Sequence, residues 1–132
     1  MRLAGRWLRR FVLALVLLLA VPALADDAQE LFRQHRSHVW VEVGGRVARL
    51  LPDDRQGARH QRFIVRTESG VTLLVAHNID LAQRAPVRVG DTVKLRGEYI
   101  WNRQGGILHW THRDPQQRHP GGWIETPQGR VQ

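Results

Sequence analysis

The chain has no cysteine. That excludes a disulfide framework, a thiolate nucleophile and a lipid-bearing cysteine, so packing alone must hold the fold. Serine is almost absent as well. Ser37 and Ser69 are the only two, each in a turn or strand approach without a partner base, which leaves serine-nucleophile chemistry poorly supported. Lysine occurs once, as Lys94. Nothing resembles a glycine-rich phosphate loop. Long apolar runs are missing except at the start, where "FVLALVLLLAVPAL" is too short to span a bilayer comfortably.

That run belongs to a pattern. "MRLAGRWLRR" is basic, the apolar stretch follows, and Ala23, Leu24 and Ala25 form an A-x-A cleavage site. Residues 1–25 therefore read as a secretory signal peptide, and the protein as periplasmic or secreted. Phe11 directly follows the Arg9-Arg10 pair, which favours the general export route over the twin-arginine one. The leader takes four arginines with it. The remaining 107 residues carry 16 basic against 12 acidic side chains, and 15 of the 16 are arginine. Arginine's planar fork suits phosphate and carboxylate; a GC-rich genome would supply the same bias.

The remaining chain changes period once. Ala28, Leu31, Phe32 and His35 have helical spacing behind an acidic start, which predicts a short helix within residues 26–37. From residue 38 the period is two. Val39, Val41 and Val43 share a face, with Trp40 and Glu42 opposite and Gly44-Gly45 as a bend. "QRFIVRT" places Phe63 and Val65 inward and Arg62 and Arg66 outward. "VTLLVAHNI" is apolar on both faces, hence central. A longer connection with one helical turn leads to "DTVKLRGEYIW", with Val93 and Leu95 inward and Lys94 and Arg96 outward. "NRQGG" turns into a fifth strand, "ILHWTH". A Pro/Gly-rich tail follows that packs through Trp123 and Ile124. Five short strands, a glycine bend in the first and a long third connection predict an all-β, five-stranded OB-like Greek-key barrel over residues 38–132, preceded by the short helix. An SH3-like barrel is the runner-up.

The segments "HQRFIV", "AHNIDLA", "GDTVKLRGEYIWN", "GGILHWTHRDP" and "GGWI" together resemble a small exported bacterial family, domain of unknown function 3465. The likeness runs from His38 to near the C-terminus. It implies a leader and one compact domain with no assigned chemistry. This chain departs at its end, Arg130-Val131-Gln132, where the family closes on an aromatic and glutamine.

Two constellations carry chemistry. The first is "HWTHRDPQQRH". Strand alternation separates His109 from His112, so the better set is His112, Asp114 and His119, with His77 of "AHNID" reaching across if the strand ends meet. Two or three imidazoles and a carboxylate suit a zinc-like divalent metal. His112 oriented by Asp114 would also suit acid–base catalysis. The more common fate of such residues at a turn is to bond the backbone, so the favoured reading is a strand end whose side chains lock the tail. His60 reads as a turn histidine. The second constellation is a surface: Trp40 with Arg62, Arg66, Lys94 and Arg96, and Arg46 beside them, where stacking and charge would hold single-stranded nucleic acid or an acidic glycan. Trp40 could instead lie under the helix through Leu31 and Phe32, and Tyr99, Trp101 and Trp110 are expected in the core. The residues thus point to a non-catalytic binding module for an anionic polymer or an envelope protein. A metal-assisted phosphodiesterase built on the His/Asp set is the alternative, and a structural envelope protein the third reading.

Overall fold

Asp26 is the N-cap of α1 (Asp27–Arg33), accepting the Gln29 N–H at 2.7 Å and the Ser69 hydroxyl at 2.7 Å. One carboxylate thus caps the helix and ties it to the turn at residues 68–70. The computed structural model describes residues 26–132; the expected leader lies outside the described residues. Ala28 and Leu31 bury into the barrel end. Phe32 stacks on Trp101 at 6.3 Å, and the Trp101 indole N–H donates to the Phe32 carbonyl at 3.0 Å. The helix therefore covers Trp101, not Trp40.

Seven strands follow: β1 (Val39–Asp54), β2 (His60–Thr67), β3 (Thr72–Asn78), β4 (Thr92–Ile100), β5 (Ile107–His109), β6 (Trp123–Thr126) and β7 (Gly129–Val131). β1 is long enough to serve two neighbours. Residues 39–46 pair with β4, and residues 45–54 with β2. The crossing point is Gly45, where any β-carbon would overlap the Arg66 carbonyl oxygen. The expected glycine bend is thus a place where two backbones must touch. β2 pairs with β3, β3 with β5 in parallel, and β5 with β4. The ring β1-β2-β3-β5-β4 closes on β1, in agreement with the OB-like expectation. The inward positions read from the sequence, Val41, Val43, Phe63, Val65, Val93 and Leu95, are buried, and Leu73, Val75 and Leu108 are buried with them.

Three departures matter. β1 is not one of the short strands expected: it runs 16 residues and continues through "LPDD". β5 stops at His109, because Trp110 adopts φ +55°. The tail does more than pack: β6 and β7 form a hairpin, and β6 pairs with β4 at Lys94–Arg96. Ile124 is buried as expected, while Trp123 is half-buried with the Arg130 guanidinium 4.0 Å over its ring. The helical turn expected in the third connection is a single one, closed by the Ala82 N–H to the Asn78 carbonyl.

Candidate functional site

β5 and β6 lie end to end along one edge of β4, with Glu98 opposite His109 and Arg96 opposite Trp123. Residues 110–122 leave that edge and return to it. The Gly122 N–H donates to the His112 carbonyl at 2.8 Å and closes the base of the excursion. Inside it, the Asp114 carboxylate accepts the N–H groups of Gln116 at 2.9 Å, Arg118 at 2.7 Å and His119 at 3.3 Å. This is a small Ω-loop capped by its own aspartate. The His119 ring meets Trp110 edge-on at 4.0 Å and Trp40 at 5.5 Å. Its Nδ1–H donates to the Pro120 carbonyl. Its Nε2 stands 3.5 Å from Asp114 Oδ2, out of line for a hydrogen bond. Trp40 is therefore part of the packing that pins this loop.

The hydrogen bond from Gln116, followed by those from Arg118 and His119, holds the Asp114 carboxyl below its usual range. Its stabilising effect is complete above the unfolded carboxylate value of about 3.9 and is lost as pH falls through the lower folded value. Asp114→Asn is expected to lower the melting temperature by several degrees at pH 7. The deficit should shrink to nothing well below pH 3; thermal melts at the two pH values check both halves.

His77 ends the inward row of β3. Its Nε2–H donates to the Gln83 carbonyl at 2.7 Å, and its Nδ1 accepts the Thr111 hydroxyl at 2.8 Å. A carbonyl can only accept, so the tautomer is fixed. Burial, the largest cause, pushes the His77 pKa down. The ring thus joins β3, the third connection and the end of β5.

The four groups expected around one metal do not assemble. His77 and His112 are neighbours, with ring centroids 6.1 Å apart, but both His77 nitrogens are engaged. Asp114 and His119 form a separate pair inside the loop. Among the described residues, no three histidine, aspartate or glutamate groups are placed to share one ion. The acid–base pair is not formed either: His112 Nδ1 donates to the Arg113 carbonyl at 2.6 Å, not to Asp114. The separation of His109 from His112 also fails. The left-handed Trp110 breaks the strand alternation, and both histidines line one cavity of about 130 Å³ with His60, Asn78 and Trp110. Sequence reasoning gives His60 and His109 little weight and overlooks Glu98. Counting outward from the 101–106 turn sets Glu98 opposite His109, and the two bond at 2.7 Å.

The outward cations divide among three places. Arg62 donates to the Pro52 carbonyl at 2.9 Å. Arg96 sits 3.9 Å from Glu42 on the β1–β4 face that carries Trp40. Arg46, Arg66 and Lys94 line one groove of about 620 Å³ over Gly44 and Gly45. Arg46 lies directly opposite Arg66 across β1–β2, and Lys94 opposite Gly44 across β1–β4. Among the described residues, no carboxylate approaches these three within 4.0 Å, although Glu68 and Asp26 stand at the groove wall. Arg59 and Arg84, by contrast, are paired with Asp80 and Asp53. Trp40 does not line this groove; strand register sets it on the same β1–β4 face as Arg46, Lys94 and Arg96, with its ring against His119.

No helix among the described residues is long and apolar enough to cross a membrane. No curated protein matches the chain. A family model described as protein of unknown function (DUF3465) matches residues 11–131, and the chain belongs to that family.

Proposed function

We propose that the protein is a binding module for an anionic polymer, held by charge in the groove of Arg46, Arg66 and Lys94. The observation that carries this reading is the facing pair Arg46 and Arg66, with no carboxylate within 4.0 Å of either among the described residues. Like charges directly opposite across two strands destabilise a sheet. A phosphate, sulfate or carboxylate between the two forks removes the repulsion and adds charge-assisted hydrogen bonds. Lys94 supplies a third positive charge, and Gly44 leaves the floor open beneath them.

The neighbouring face bears on how such an anion would be held. The outer face of β2 and β3, where OB barrels carry oligonucleotides, presents His60, Arg62, Ile64, Arg66, Thr72, Leu74, Ala76 and Asn78 in register and offers no phenylalanine, tyrosine or tryptophan ring for a base to stack on. Recognition then rests on charge along a polymer backbone, and an acidic glycan fits as well as a nucleic acid. The test is equilibrium binding of the purified protein to a heparin fragment and to a mixed-sequence oligonucleotide at low salt. Arg66→Glu is expected to weaken both by about tenfold or more, since it costs one contact and adds a repulsion. Absence of binding at low salt, or an unchanged affinity in Arg66→Glu, would overturn the reading.

A further inference from the structure

The cavity beside Trp110 is lined by three imidazoles, and each has one ring nitrogen fixed by an acceptor. His112 Nδ1 meets the Arg113 carbonyl at 2.6 Å and His60 Nδ1 the Ala58 carbonyl at 2.9 Å. His109 Nε2 meets the Glu98 carboxylate at 2.7 Å. A carbonyl oxygen cannot donate, so His60 and His112 carry their protons on Nδ1, and Nε2 of each is a lone-pair donor. His112 is 2% exposed, and its Nε2 has no protein partner, yet it is not among the sealed unpartnered atoms. A buried imidazole with its far nitrogen locked and its near nitrogen unfilled beside a polar cavity needs a partner there. Metal-binding histidines have this arrangement: the other ring N–H is held by a backbone carbonyl or a carboxylate.

We propose that this cavity seats one borderline transition-metal ion, of the Cu²⁺ or Zn²⁺ class, on Nε2 of His112 and Nε2 of His60. The ligands come from the start of β2 and from just beyond β5, and His60 stands opposite Asn78 across β2–β3. Imidazole nitrogens select such ions over calcium or magnesium. Two protein ligands leave the remaining positions to water, which accords with the lack of any three-residue set. This seat differs from the four-residue set expected from sequence in using His60 and in leaving His77, Asp114 and His119 to structure. It is independent of the anion groove.

The probe is Cu²⁺ alone, the tightest binder of its row, titrated into the purified protein without a histidine tag and followed by electron paramagnetic resonance. Uptake of one ion per chain, with nitrogen hyperfine coupling, is expected. His112→Ala and His60→Ala should each weaken it by about tenfold or more, with circular dichroism unchanged, while His35→Ala at the helix end should leave it intact. If His112→Ala does not fold, His60→Ala decides alone, because that side chain is only half-buried. Lack of stoichiometric uptake, or full uptake in His60→Ala, would overturn the proposal.

Discussion

Replacing His77 with alanine is expected to cost about 3–4 kcal/mol, a large share of the roughly 5–15 kcal/mol that holds a domain of this size. The substitution leaves the buried Thr111 hydroxyl and the partly buried Gln83 carbonyl without their partner. Each unsatisfied group costs about 1–3 kcal/mol, and the emptied ring volume adds a cavity. The effect spreads because the ring connects β3, the third connection and the loop after β5. His77→Gln, which can both donate and accept, should recover part of the loss.

The same residue sets a pH dependence. Its folded-state pKa is pushed down by burial, below the unfolded value of about 6.5. Above that pH both states are neutral. As pH falls below it, the unfolded chain takes the proton first, and stability drops as the pH moves toward the folded value. Thermal melts at pH 7.5 and 5.5 should show a larger decrease for the wild type than for His77→Gln. An equal decrease would mean that His77 does not titrate in the unfolded state alone.

Gly122→Ala is the second large effect. A β-carbon there would overlap the carbonyl oxygens of Trp110 and Arg96 and press on the Thr111 backbone. Backbone cannot swing aside as a flexible side chain does. The expected cost is about 3 kcal/mol. It should appear first as loss of the Gly122 to His112 hydrogen bond and of the β4–β6 pairing. Hydrogen exchange would then show faster amides at residues 122–126 while β2 and β3 stay protected. Uniform loss of protection would instead make this hairpin part of the cooperative core.

The barrel was legible because most of its strands announce themselves by alternation: Phe63 and Val65, Val93 and Leu95 point inward as the period of two requires, whereas β3 reads as apolar on both faces and only its pairing selects Leu73 and Val75. Gly44-Gly45 marked the bend for a reason the structure supplies, the contact of Gly45 with β2. The hairpin of β6 and β7 escaped notice because its strands are short and sit among prolines and glycines. The cavity of His60, His109 and His112 escaped for a different reason. Strand parity is a sound rule only while the strand lasts, and one left-handed residue, Trp110, ends it. Bulky residues rarely adopt that conformation, so no sequence rule flags it. Asp114 was legible as a turn device and serves as one. The basic surface was legible residue by residue but not as an arrangement, because only strand register shows that Arg46 faces Arg66 while Arg96 faces Glu42.

Arg46, Arg66 and Lys94, which share one groove and have no carboxylate within 4.0 Å among the described residues, are proposed to bind a polyanion by charge. The most direct measurement of this central claim is the affinity of the purified protein for a single-stranded oligonucleotide across a series of salt concentrations. Three phosphate contacts predict a slope of about −2 in log K against log salt. Arg46→Ala and Arg66→Ala should each flatten it by about 0.7, one contact apiece. A slope near zero, or one that neither substitution changes, would contradict the account.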